Sequence, residues 1–220
     1  MIVCGIDEAG RGPIIGPMVI AGVSFKEGVL IKLTEIGVRD SKTLSPIKRE
    51  ELYQKIKDLA ETYHIIKISP SEIDNAIFSG LKLIKLEAKY IAEIIKKVKA
   101  EIYYIDSPQN DPSSFLKTLN KFIDTKNVVC EIKADKKYVQ VSAASILAKV
   151  ERDREIRKMY EKYGNFGSGY TSDIRTINFL KEKVSKGEIP EEVRKSWKTY
   201  RKLIEENGLF KFNSHYKPEL

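Results

Sequence analysis

Val- and Ile-rich apolar runs cover residues 2–6 and 18–25, and a Gly/Pro-rich stretch over 9–17 separates them. Apolar runs bounded by turn residues predict two β-strands. From Pro46 the spacing changes to helical intervals, with Leu52, Ile56 and Leu59 on one face. Ser45 is placed to cap this helix, and Pro46 suits its first position. A third strand is predicted over 63–68. Over 70–98, Leu81, Ile84, Ala88, Ile91 and Ile95 share a helical face, and Gly80 breaks the pattern. A strand over 101–105 ends at Asp106, followed by a helix over 113–123 and a strand over 127–132. Long helices are predicted over 141–163 and 172–186, the second of them basic. Gly187 and Pro190 punctuate, and a last helix is predicted over 190–206 before an irregular tail. Strands first, then strands alternating with helices, predict an α/β domain with a mixed sheet. The one candidate boundary lies near Gly187 and sets a C-terminal helical segment, 188–220, apart from the domain over 1–187.

Charged residues make up 32% and hydrophobic ones 42%, an ordinary globular balance. No apolar run approaches the roughly 18 residues of a membrane span, so no membrane partner is expected. The first apolar run lacks a basic leader, so it does not read as a signal peptide. Cys4 and Cys130 both lie in apolar strand-like runs. They read as structural thiols in a reducing, cytoplasmic compartment, and a monomer is expected. Lys and Arg number 39 against 31 Asp and Glu, a net charge of +8. Most of the excess falls after residue 134. It suits a polyanionic partner, and it equally suits a solvated surface laced with ion pairs.

The acids at the strand ends change the picture. Asp7 and Glu8 follow the first strand, Asp106 ends the strand at 101–105, and Asp135 comes just after the strand at 127–132. In open α/β sheets ligands bind beyond the carboxyl ends of the strands. If these strands are parallel neighbours, four carboxylates meet in one crevice. At roughly 6 Å each charged pair would repel by about 3 kcal/mol at an effective dielectric near 20, so hard cations must neutralise them. Oxygen-only ligation favours Mg²⁺ or Mn²⁺ over zinc. Two such ions can activate a water and stabilise the leaving oxygen of a phosphodiester. Any one strand-end Asp is explained as a turn or cap; four acids at three strand ends shift the reading to a metal site. In the following turn, Gly10 and Gly12 flank Arg11 and let backbone N–H groups approach a phosphate or sugar.

The run Gly5-Ile6-Asp7-Glu8-Ala9-Gly10-Arg11-Gly12-Pro13, with Gly16-Pro17, resembles the opening motif of the ribonuclease HII family, the type 2 ribonucleases H. So do Asp40-Ser41-Lys42-Thr43-Leu44-Ser45, Asp106-Ser107, Lys133-Ala134-Asp135 with the run from Ser142 to Val150, and Gly167-Ser168-Gly169-Tyr170. These stand in family order across about residues 3–175. The resemblance implies an RNase H-like fold with a five-stranded mixed sheet flanked by helices, its catalytic domain over 1–187. It implies that Asp7, Glu8, Asp106 and Asp135 are catalytic and hold two Mg²⁺ or Mn²⁺ ions. Gly10, Arg11 and Gly12 are similar to a motif that recognises the ribose 2′-OH through its backbone. Tyr170 resembles the tyrosine that packs on the sugar at an RNA–DNA junction, although Thr171 stands where many members have proline. Lys42 and Lys149 resemble phosphate contacts. The implied substrates are RNA–DNA hybrids and duplex DNA carrying ribonucleotides. The implied roles lie in DNA replication and repair.

Some archaeal members end in a sliding-clamp motif. The tail Leu209-Phe210-Lys211-Phe212 only faintly echoes it, and no clamp partner is drawn from it. Asp153 reads as part of a solvated helical face with Glu151, Arg152, Arg154 and Glu155. His64 and His215 read as structural, and Trp197 as a packing anchor. Substrate affinity is expected mainly from the basic C-terminal part, so truncation near Lys186 should weaken binding more than chemistry. Two rivals remain. A junction resolvase of the same fold would keep the acids but not the glycine turn with Tyr170. A non-catalytic nucleic-acid-binding protein would need the basic helices but not clustered acids.

Overall fold

The computed structural model describes residues 1–207. Five strands, β1 (Ile2–Ala9), β2 (Met18–Lys26), β3 (Thr62–Ile68), β4 (Ile102–Asp106) and β5 (Val128–Glu131), form one sheet in the order β3-β2-β1-β4-β5. β1, β2 and β3 make an antiparallel meander, whereas β4 and β5 lie parallel to β1. This is the mixed sheet expected from the sequence. The helices are α1 (Leu30–Glu35), α2 (Pro46–Leu59), α3 (Pro70–Phe78), α4 (Leu83–Lys97), α5 (Pro112–Leu119), α6 (Ala134–Lys137), α7 (Val139–Tyr163), α8 (Ile174–Lys186) and α9 (Lys198–Glu206). Ser45 caps α2 as the sequence suggests, accepting from the Lys48 N–H, and Ser69 forms a capping box with Glu72 at the start of α3. Among the described residues no helix is long and apolar enough to cross a membrane. Cys4 and Cys130 are buried free thiols.

β1 is covered on both faces, which is why it reads as an unbroken apolar run. Cys4 and Ile6 join Ile20, Ile91 and Phe115 in a core between the sheet and the α4–α5 side. On the other face Val19, Val23 and Phe25 meet Leu52 and Ile56 of α2 and Ile146 and Leu147 of α7. α7 lies so close to β1 that a Cβ on Gly5 would sit 2.1 Å from the Gln140 carbonyl oxygen. A third core joins Ile14 and Ile15 to Met159, Phe166, Leu180 and Val193. It ties the β1–β2 turn to the last quarter of the described chain.

The last helix is shorter than the periodicity predicts. Residues 190–197 are not helical, and α9 begins only at Lys198. Tertiary bonds win there: Val193 bridges Ile15, the Arg194 N–H donates to the Ile14 carbonyl at 2.8 Å, and the buried Asp74 carboxylate accepts from the N–H groups of Lys195 and Ser196. The solvated face expected around Asp153 is also corrected. Glu151 and Arg152 are buried, because α7 crosses the sheet there. Asp153 pairs with Arg49 of α2 at 3.0 Å rather than along its own helix.

Candidate active site

The carboxyl ends of β1, β4 and β5 lie side by side. Ile6 pairs with Ile105, so Asp7 and Asp106 emerge from adjacent strands in matched register. Asp135 arrives from α6. The residue before that helix, Lys133, adopts the left-handed conformation with φ 56°. That turn aims the Ala134 N–H at Asp106 Oδ1, 2.8 Å away. As a result carboxylate oxygens of Asp7, Asp106 and Asp135 all lie within 4.8 Å of one another.

Three carboxylates this close repel by about 3 kcal/mol per charged pair at an effective dielectric near 20. Burial, then the neighbouring Asp106, push the Asp7 carboxyl up to about 7, although Ser145 beside it favours the charged form. Burial also raises Asp106, against the hydrogen bond from Ala134. Asp135 is 1% exposed, and its Oδ1 has no hydrogen-bond partner among the described residues. Buried polar atoms are rarely left so. An orphaned carboxylate oxygen beside two other carboxylates is a donor set suited to a hard divalent cation. The residues present therefore fit Mg²⁺ or Mn²⁺. Lys42 Nζ stands 3.5 Å from Asp135 Oδ2 and offsets part of the charge.

Glu8 lies outside this group of three. Side chains alternate along a strand, so Asp7 faces α7 while Glu8 turns to the α4 side. There burial, then Asp7 and the buried Glu87, hold its carboxyl well above the usual carboxylate range.

The turn after β1 begins with Gly10 at φ +78°, where a Cβ would meet Arg152 Cδ at 2.5 Å and the Pro17 carbonyl at 2.6 Å. Arg11 is tethered to α4, its Nε donating to Glu87 Oε1 at 2.7 Å. Gly12 is exposed, and the Tyr170 ring lies 3.6 Å from where its Cβ would be. Tyr170 is 41% exposed and rests on the guanidinium of the buried Arg152, 5.6 Å from the ring centre. Lys149 donates to Ser41 Oγ at 2.8 Å, and burial with the nearby Lys42 lowers its pKa. Glu8, Gly10, Arg11, Lys42, Lys149 and Tyr170 thus line one cleft of about 430 Å³, shared with Arg49, Arg152 and Asp153.

The sequence pattern did not mark Glu87 or Arg194, and it set Arg152 on a solvated face. Glu87 had a signal: it is a lone acid between Ile84 and Ile91 on the apolar face of α4. Arg152 and Arg194 had none, since only tertiary structure buries them.

A model of the family described as ribonuclease HII matches residues 4–200. Ribonuclease HII of Thermococcus onnurineus is 46% identical over 207 residues, spanning 93% of this chain and 91% of the relative. The crystal structure of ribonuclease H2 from Pyrococcus horikoshii matches with a TM-score of 0.87 at 42% identity, covering 94% of this chain and 99% of that one. A chain in the PCNA:RNase HII complex from Archaeoglobus fulgidus matches at 0.82 and 44% identity, with 90% and 96% covered.

Proposed function

The chain belongs to the ribonuclease HII family and is a ribonuclease H hydrolase, and on that premise we propose that it cuts RNA paired with DNA endonucleolytically. The proposal extends to cleavage on the 5′ side of ribonucleotides embedded in duplex DNA, leaving 3′-OH and 5′-phosphate ends. The observation that carries it is the convergence of Asp7, Asp106 and Asp135, with the orphaned Asp135 Oδ1, beside a cleft lined by Gly10 and Tyr170.

Asp7, Asp106 and Asp135 would hold the divalent cations, with Glu8 joining from across the strand end. Cations bound there supply an activated water and stabilise the charge that develops on the leaving oxygen. Lys42 and Lys149, which line the cleft, donate to phosphate oxygens. The 2′-OH is the group that distinguishes ribose from deoxyribose, and the backbone of Gly10, Arg11 and Gly12 reads it. Tyr170, propped on Arg152, packs on the following sugar. There a deoxyribose fits best because it has no 2′-OH to crowd the ring. The Archaeoglobus fulgidus relative assembles with PCNA, which supports a sliding clamp as a protein partner. The segment Leu209-Phe210-Lys211-Phe212 lies outside the described residues.

The test is cleavage of a labelled RNA–DNA hybrid with Mg²⁺ or Mn²⁺, set beside an all-DNA duplex. Cutting of the RNA strand alone, abolished by EDTA and by Asp7→Asn, is expected. Comparable cutting of the all-DNA duplex would make the protein a general nuclease of this fold and overturn the proposal.

A further inference from the structure

Arg194 is fully buried, yet among the described residues none of its guanidinium nitrogens goes to a carboxylate. Nη2 donates to the Gly10 carbonyl at 2.6 Å, Nη1 to the Arg11 carbonyl at 2.8 Å and Nε to the Gly16 carbonyl at 3.0 Å. The Gly12 carbonyl is taken as well, by Trp197 Nε1 at 3.0 Å, and Arg194 lies over the indole, 4.8 Å from its ring. Behind them the Asp74 carboxylate accepts from the N–H groups of Lys195 and Ser196 and from the Ser196 hydroxyl, fixing the segment that carries both side chains.

A trans peptide points its N–H opposite to its carbonyl, and no peptide bond here is cis. Turning the Gly10 and Arg11 carbonyls inward onto Arg194 therefore turns the N–H groups of Arg11 and Gly12 outward. Neither of those N–H groups makes a hydrogen bond among the described residues. The next carbonyl held, that of Gly12, belongs to the peptide of Pro13, which has no N–H. The turn thus presents two aligned donors on its open side, and its acceptors are consumed behind it. Donors fixed before the ligand arrives discriminate better than ones that must be ordered on binding.

We infer that Arg194 and Trp197 are positioning residues that aim the N–H groups of Arg11 and Gly12 at the ribose 2′-OH. The inference rests on the reading that this turn recognises a ribonucleotide. Arg194 is suited to the task because its planar fork meets three carbonyls at once, which a lysine ammonium cannot match in geometry. Substrate never has to touch either side chain.

The test compares binding of a fluorescent duplex DNA bearing one ribonucleotide with binding of the same duplex lacking it. The full chain is used with Ca²⁺ in place of Mg²⁺. The wild type should prefer the ribonucleotide duplex. Arg194→Lys and Trp197→Phe should each lower that preference about tenfold while affinity for the all-DNA duplex stays within about twofold. Trp197→Phe keeps an aromatic ring under Arg194 and removes a single donor, so it decides the matter if Arg194→Lys does not fold. An unchanged preference in a folded variant would overturn the inference. A parallel loss of both affinities would overturn it too, since the pair would then only support the fold. A wild type with no preference would instead show that the turn does not read ribose, and the inference would fall with that reading.

Discussion

At Asp7, burial and the Asp106 carboxylate act in the same direction and push the carboxyl up to about 7 in the metal-free protein. In the unfolded chain it titrates near 3.8. Between those values the folded state holds the extra proton, so metal-free stability is full below about pH 4 and falls as pH rises to about 7. Asp7→Asn removes the charge and should melt higher than wild type in EDTA at pH 8. Relief of about 2 kcal/mol corresponds to ~6 °C for a chain of this size. The gain should vanish below about pH 4, and a gain independent of pH would show that repulsion is not its source. The two glycines of the turn should separate structure from recognition. Gly10→Ala needs a left-handed alanine and collides with Arg152 and the Pro17 carbonyl, so it should cost about 2 kcal/mol or more. Gly12→Ala adds only an ordinary contact with Tyr170. It should leave the melting temperature nearly unchanged while slowing ribonucleotide cleavage. Tyr170→Ala should harm a single-ribonucleotide duplex more than a long hybrid; equal loss on both would deny the ring a role at the junction.

Among the elements, α7 depends most on a single missing atom. Gly5→Ala would drive a Cβ into the Gln140 carbonyl, separating α7 from β1 and pulling Ser145 from Asp7. It should cost ~3 kcal/mol or abolish folding. Gly28→Ala, with open space around its Cβ, should be close to neutral in the same denaturation series. Gly5 stands in a recognisable motif, but its reason for being glycine is a helix over 130 residues away and is invisible in the chain. Elements with local causes were legible: the Ser45 cap and the Gly80 break both fall where the sequence places them. The acids at three strand ends could be read as a cluster only on the condition that their strands are parallel neighbours, a condition that β1, β4 and β5 meet. The opposed facing of Asp7 and Glu8 was hidden, because two adjacent acids read as the end of an apolar strand, whereas β1 runs on to Ala9 and alternates its side chains through both. Residues 190–197 misled for another reason. Their local pattern favours helix, and bonds to Ile14, Ile15 and Asp74 override it.

For the molecule as a whole, the net charge of +8 should show as salt-dependent binding. In Ca²⁺, affinity for a hybrid should fall on the order of 100-fold between 50 and 200 mM salt, as for about four neutralised phosphates. Affinity flat in salt would reduce the basic excess to surface ion pairs. Truncation after Lys186 no longer isolates a binding appendage, because it removes Arg194 from behind the glycine turn and Val193 and Leu203 from the third core. It should lower the melting temperature and the rate together, as stability and turnover measured on one preparation would show. The most direct measurement is end-mapping on duplex DNA that carries one ribonucleotide, incubated with the wild-type protein and Mn²⁺. The account predicts a single cut on the 5′ side of that ribonucleotide, leaving a 3′-OH and a 5′-phosphate, with none in EDTA and none when hydrogen replaces the 2′-OH. A cut that persists on the deoxyribose duplex, or one that leaves a 2′,3′-cyclic phosphate, would contradict it.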